Sequence, residues 1–261
     1  MTSREKICVI SSDDKDISSI SNSNFFVNLK EKYATQSVDR IAVMETIVPN
    51  AFYNISDGST TKGNGPENNT LILSATGMGT LNFVLPAGQY NILQLIASLQ
   101  TLINAQLTPL GRTVTITRDE ITNLLTFSFL GGVSILFKKE STMAPVLGFA
   151  TDLNGTLVTM TEPPDLSGIN SVYIHSEALS DGSGIDASKG IINLVDCVSL
   201  HNVPYGTFSY KQTTDASFST IAYTIPRNLN RIDIRLRDRE GNLLNIGTKR
   251  LTLVIKVYYS V

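Results

Sequence analysis

Few side chains in this sequence are of a type and spacing that could do chemistry. There are only two histidines, His175 and His201. His175 sits in a strand-like run, and His201 opens the turn His201-Asn202-Val203-Pro204. A zinc site takes about four His, Cys or carboxylate ligands at paired spacings; neither histidine has such companions, and both read as structural. The densest carboxylate group is Asp13, Asp14 and Asp16, an oxygen-rich set of the kind hard cations favour. Lys15 interrupts it and the glycine and spacing of an EF-hand are missing, so the cluster reads as turn chemistry at a strand end. Gly77-Met78-Gly79 and Gly131-Gly132 lack the rest of a phosphate-binding signature. No Gly-x-Ser-x-Gly elbow presents a nucleophile. Carboxylate pairs for glycoside hydrolysis can lie far apart in sequence, which keeps a glycan-active enzyme as the lowest-ranked reading. The absence of tryptophan weakens it. Cys8 and Cys197 lie in apolar, strand-like contexts and read as buried free thiols, although spacing leaves a disulfide open. No catalytic residue, metal ligand or cofactor is assigned, and the expectation is a protein without enzymatic activity.

Composition narrows the partners. With 261 residues, 42% hydrophobic and 17% charged, the chain is globular and carries fewer charges than the usual quarter. Its net charge is −2. The strongest basic stretch, Arg227 to Arg239, alternates its charges along a strand, so it lacks the concentrated basic face of a nucleic-acid binder. No window approaches the roughly 18 apolar residues of a membrane span, and the first residues hold no apolar stretch of signal-peptide length. The expectation is a soluble product of the cell interior with no nucleic acid and no membrane span.

The elements that would position any site are mostly strands. Short strand-like runs bounded by polar turns are read at Lys6 to Ile10, Phe25 to Leu29, Arg40 to Val48, Leu71 to Leu73, Leu81 to Leu85 and Ser171 to His175. Further strands are read near 191–199, 206–212, 218–224, 230–238 and 249–261. The final stretch reads as a hairpin: Arg231 to Asp238, a turn at Arg239-Glu240-Gly241-Asn242, then an arm with Leu251, Leu253, Ile255, Val257, Tyr259 and Val261 on one side. Segments 56–69 and 180–189, rich in Gly, Ser, Asn and Asp, read as exposed loops. One segment departs from this rhythm: Ile92, Leu95, Ile96, Leu99, Leu102 and Ile103 form a helical stripe, and Asn91 with Gln94 makes a capping box. A helix at about 91–106 followed by a meander at 113–117, 124–129 and 134–137 reads as an α+β insertion spanning 86–165. The flanking parts, 1–85 and 166–261, read as about ten strands of a β-sandwich or barrel.

A family resemblance then becomes visible. It rests on Val9-Ile10-Ser11-Ser12-Asp13-Asp14-Lys15-Asp16, Asn22-Ser23-Asn24-Phe25, Ile47-Val48-Pro49-Asn50, Tyr53-Asn54-Ile55, Leu85-Pro86-Ala87-Gly88-Gln89-Tyr90, Val146-Leu147-Gly148-Phe149, Ser171-to-Ser176 and the closing Arg231-to-Val261 hairpin. In their order, these resemble the penton, or minor capsid, proteins of virophages and Polinton-like viruses. The resemblance implies a single jelly roll and a virion protein assembled inside the host cell. It also implies homopentamers at the five-fold vertices of an icosahedral shell, beside a double-jelly-roll major capsid protein. The family's Ser-Ser-x-Asp-Arg-Asp motif has Lys15 at its arginine position, which keeps the charge but gives up the planar bidentate donor. Arg231, Asp233, Arg235 and Arg237 are then expected on a solvated or inter-subunit face. The alternative from a different class is a β-sandwich carbohydrate-binding or host-attachment module.

Overall fold

A computed structural model describes residues 4–29, 37–58, 66–75, 77–132, 134–181, 184–186, 190–213 and 220–259. The strands in chain order are β1 (Arg4–Ser11), β2 (Asn24–Asn28), β3 (Ser37–Pro49), β4 (Thr70–Ala75) and β5 (Gly79–Val84). After helix α1 (Ile92–Leu107) come β6 (Thr113–Arg118), β7 (Leu125–Leu130) and β8 (Ile135–Phe137). The one-turn helix α2 (Ala144–Leu147) precedes β9 (Leu153–Gly155) and β10 (Leu157–Thr159). The remainder is β11 (Ser171–His175), β12 (Gly184–Asp186), β13 (Gly190–Ile192), β14 (Leu194–Ser199), β15 (Phe208–Gln212), β16 (Thr220–Asn228), β17 (Arg231–Arg237) and β18 (Thr252–Tyr259). Among the described residues the chain divides into two compact units, one holding the N-terminal part through Phe52 and the part from Ile169 onward, the other Tyr53 to Gly58 and Pro66 to Gly168.

The first unit is a sandwich of two antiparallel sheets. One has the order β1-β18-β3-β15, with β16 also on β3, and the other β14-β11-β17-β2. Count β1, β2, β3, β11, β14, β15 with β16, β17 and β18 as one to eight. The sheets then read one-eight-three-six and five-four-seven-two, the double Greek key of a jelly roll. Alternation explains the core. Ile10, Ile41 and Ile255 of one sheet and Phe25, Ile174 and Ile234 of the other are all buried in one cluster.

The closing segment corrects the expected hairpin. β17 pairs with β2 and β11, while β18 pairs with β1 and β3 in the opposite sheet. Period two tells which face is buried but not which strand lies alongside, and here two apolar faces meet across the core instead of sharing an edge. The turn chemistry does form, with Gly241 at φ 87° and its N–H donating to Asp238 O. The returning arm is only Leu243 to Ile246, whose Leu244 N–H donates to Leu236 O at 3.0 Å. Segment 180–189 also differs from a plain loop, since β12 and β13 pair there. Residues 59–65 of the expected exposed loop at 56–69 lie outside the described residues, as does Val261, while Ser56 and Asn69 at its two ends are buried.

The second unit stacks a sheet of order β5-β4-β8-β9, a sheet of order β10-β7-β6, and α1 around one apolar core. β4 and β5 were grouped by sequence with the jelly roll, and β8 with the meander of β6 and β7. Instead β4 pairs with both β5 and β8, and β7 takes β10 as its second neighbour. Short apolar strands of similar composition carry no mark of sheet membership. Helix α1 begins with its capping box: Gln94 N–H donates to Asn91 Oδ1 at 2.9 Å and Asn91 N–H to Gln94 Oε1 at 3.0 Å. Its apolar stripe buries Leu95, Leu99 and Ile103. Asn54, buried where the unit begins, donates to Tyr90 O at 2.7 Å and to Leu166 O near its end at 3.2 Å.

Leu147, Gly148 and Phe149 sit in this second core. Phe149 packs edge-on against Phe137, with centroids 5.9 Å apart. Gly148 closes α2 at φ 85°, and its carbonyl accepts from Thr161 N–H and Glu162 N–H at 3.0 and 2.9 Å. A Cβ there would stand 2.0 Å from Glu162 O. Gly148→Ala therefore meets both an unfavourable backbone region and a backbone clash. It should destabilise the protein by about 3 kcal/mol, as each effect alone costs ~1–3 kcal/mol. Chemical denaturation compared with wild type measures this.

Candidate functional site

The N-terminal motif folds into a clasp. Ser11 Oγ accepts from Asp13 N–H at 3.2 Å and from Arg250 Nε at 3.1 Å, and Arg250 Nε lies 3.3 Å from Asp13 Oδ2. Ser12, fully buried, exchanges two bonds with Leu251: its N–H donates to Leu251 O, and Leu251 N–H donates to Ser12 Oγ, both at 3.1 Å. Lys15 Nζ donates to Asn22 Oδ1 at 2.7 Å and to Ser12 O at 3.4 Å, and Asn22 Nδ2 donates to Lys249 O at 3.0 Å. The acceptors of Lys15 are neutral, so a point-like ammonium serves where a planar guanidinium would gain little. The loop after β1 is thereby fastened to the chain entering β18.

The rest of the motif lies along β2. Antiparallel neighbours bond through alternate residues. Since Leu29 N–H donates to Asn230 O and Leu236 N–H to Ser23 O, the residues Asn24, Phe26 and Asn28 turn their backbone groups outward. The loop meets them there. Asp16 N–H donates to Phe26 O at 2.7 Å, Phe26 N–H to Ser19 Oγ at 3.0 Å, Ser21 N–H to Asn24 O at 3.1 Å and Asn24 N–H to Ser21 Oγ at 3.1 Å. Asp16 also accepts from Ser18 N–H and Oγ at 2.9 and 2.6 Å and from Asn28 Nδ2. Its carboxyl is held below the usual 3.8, first by the Ser18 hydroxyl, then by the Ser18 amide. These oxygens are occupied by hydrogen-bond donors of the protein itself. Among the described residues no three His, Cys, Asp or Glu side chains are grouped to hold a metal.

Pro49 ends β3, and Asn50 fastens the segment before β15. Its N–H donates to Thr207 O at 2.8 Å, its Nδ2 to Val203 O at 2.6 Å, and its carbonyl accepts from Gly206 N–H at 2.8 Å.

The charged residues of β17 do not form one solvated row. Arg231 is exposed and stacks on Phe26, 3.8 Å from ring centroid to guanidinium carbon. Asp233 is only 8% exposed. Its carboxylate accepts from Ser176 Oγ, Glu177 N–H and Ala178 N–H at 3.3, 3.2 and 3.0 Å, holding the turn after β11. Asp233 stays on the face of Arg235, opposite the core residues Ile232 and Ile234, and is buried there because the turn after β11 covers it. Arg235 bridges Glu177 at 2.9 Å and Asp233 at 3.5 Å, and Arg237 donates to Gly241 O. A cleft of about 570 Å³ lies over this region, lined among others by Tyr173, His175, Arg235, Arg237 and Arg239.

One cluster left no trace in the sequence. Asp196 on β14 is buried, accepts from Thr46 Oγ1 at 2.5 Å and pairs with Lys211 Nζ. Its partners are distant in sequence, and nothing local marks them. Cys8 and Cys197 are both free, which decides against the disulfide, and burial pushes both thiols above their usual value, away from a reactive thiolate.

No family model matches the sequence, and no curated protein does. The fold does have solved counterparts. The crystal structure of the mavirus penton protein superposes with a TM-score of 0.53 at 10% identity, covering 100% of both chains. A chain of the cryo-EM structure of the Sputnik virophage gives 0.49 at 11% identity, covering 98% of this chain and 97% of that one. At this identity the first likeness establishes a common fold over the full length.

Two measurements test these assignments. Asp233→Ala should cost about 3 kcal/mol, because it strands buried donors that now bond to a carboxylate; a stability unchanged in denaturant melts would remove its structural role. The lowered Asp16 value fixes a sign in pH. Its contribution to the clasp is complete above 3.8 and is lost as pH falls through the lowered folded value. In an acid titration followed by NMR, the Ser18 amide and Asn28 side-chain amide should shift together below that pH.

Proposed function

We propose that this chain is a structural capsid protein: a jelly-roll penton that forms homopentamers at the five-fold vertices of an icosahedral shell and abuts a double-jelly-roll major capsid protein. The observation carrying this reading is the eight-strand jelly-roll order, interrupted between its third and fourth strands, in a chain that superposes end to end on a protein named as a penton. Fold alone does not imply function, so the site must agree with it. It does agree: the motif residues serve as fasteners, and the thiols and carboxylates with shifted values are tied into structure. The net charge of −2 suits packing against protein more than against genome. The mechanism is interface burial, without catalysis or cofactor.

The attachment reading draws on one feature, the cleft over β11 and β17. Its best donors, Arg235 and Arg237, are already engaged by Glu177, Asp233 and Gly241 O, which leaves it second.

Light scattering coupled to size exclusion on the purified chain should give the mass of five copies. A monomer at every concentration and salt tried would overturn the penton reading. The double reversal Arg235→Glu, Arg237→Glu should leave that mass unchanged if these arginines serve within the subunit; a loss of assembly would put them at the interface.

A further inference from the structure

The margins of the sheets in the jelly roll are treated in two different ways. The β2 margin is covered by the loop at 16–21. On β14, Leu200 N–H bonds to Asn170 O, so Cys197 and Ser199 point outward. Cys197 O accepts from Lys211 Nζ at 3.1 Å and Ser199 O from Ser209 Oγ at 2.8 Å. Both margins of that sheet are thus capped. The second unit does the same at β6, where Val114 exchanges two bonds with the Asn104 amide and Ile116 N–H donates to Gln100 Oε1.

The other sheet is left open. Ser12 N–H to Leu251 O sets the phase of β1, so Glu5, Ile7 and Val9 turn their N–H and C=O groups away from β18. At the far margin, Asn50 N–H to Thr207 O and Thr213 N–H to Met44 O set β15, and Phe208, Tyr210 and Gln212 turn outward. Among the described residues none of these backbone groups has a partner. Four of these residues carry exposed apolar surface: Ile7 is 65% exposed, Val9 55%, Phe208 52% and Tyr210, whose hydroxyl donates to Glu45, 55%. Open edges are normally blunted by lysine, proline or a bulge. Lysines flank both rows, but Lys6 lies over the Tyr259 ring and Lys211 is held by Asp196 and Cys197 O, while Glu5 pairs with Lys256. None of these charges stands guard over Ile7-Cys8-Val9 or Phe208-Ser209-Tyr210.

We infer that these two margins are halves of one interface, β1 of one copy lying alongside β15 of the next so that the sheet continues from subunit to subunit. The occupant is a second copy because the two margins complement each other. Each offers a short row of outward backbone donors and acceptors flanked by two exposed apolar side chains, and they stand at opposite ends of the same sheet. Such a head-to-tail contact joins two different patches and closes into a ring when its rotation permits. This rests on the self-assembly proposed above and names the surface that performs it.

The test uses the full chain and two double variants, Ile7→Lys with Val9→Lys and Phe208→Lys with Tyr210→Lys. Each should fold by circular dichroism yet need about a hundredfold higher concentration to assemble, the effect of losing a few edge hydrogen bonds and their apolar flank. Mixed together, the two variants should form a one-to-one dimer, since each keeps one intact margin. Amide exchange on wild type provides a reading independent of variant folding: Ile7, Val9, Phe208, Tyr210 and Gln212 should gain protection on assembly. Wild type that assembles with these amides unprotected, or a β15 variant that assembles normally, overturns this interface and leaves the penton reading standing. Protection already present in the monomer means a segment of the same chain covers the margin, and also overturns it. Wild type that never assembles overturns the penton reading itself.

Discussion

A β-sheet that does not close on itself ends in strands whose outward N–H and C=O groups need partners, and most of the specific chemistry in this protein answers that need. An unpaired backbone group away from water costs about as much as a lost hydrogen bond. Ser19, Ser21 and Asp16 answer it on β2, Ser209 and Lys211 on β14, and Asn104 and Gln100 on β6. What looks in the sequence like a cation-binding run of aspartates is split between two fastenings: Asp16 serves the β2 margin, and Asp13 meets Arg250. The hydroxyls of Ser19 and Ser21 are present because short polar side chains can reach backbone groups that no strand reaches.

The core imposes the second constraint. Both sheets of the jelly roll must offer an unbroken apolar face to the same interior, and β17 and β18 do so from opposite sides. Asp233 keeps to that rule. Lying between two core isoleucines, it turns to the other face, where Ser176, Glu177 and Ala178 cover it and supply the donors that make a buried carboxylate tolerable.

Legibility followed the range of the interaction. The capping box of α1 was visible as Asn91 and Gln94 because both bonds span three residues, and the apolar faces of β3, β17 and β18 were visible because alternation is local. The pairing of β4 with β8, the separation of β17 from β18, and the Thr46–Asp196–Lys211 cluster were not, since each depends on residues brought together only by the fold. Within the clasp, the turn role of Asp13 and Asp16 could be read. The joining of Asp16 to Asn28, Asp13 to Arg250, Asn22 to Lys249 and Ser12 to Leu251 could not, as more than two hundred positions separate most of these partners from the loop.

Asn54 bears on how such a chain can change. One buried amide holds the start of the second unit, the lead-in to its helix and the carbonyl of Leu166 close to its end. Departure and return thus share a single seam. The entropy of closing the intervening stretch grows only slowly with its length, so the framework strands scarcely register what the seam encloses. A lineage with this arrangement can exchange the enclosed unit wholesale, and an engineer can graft a foreign domain at the same junction, while the registers of the eight framework strands are kept.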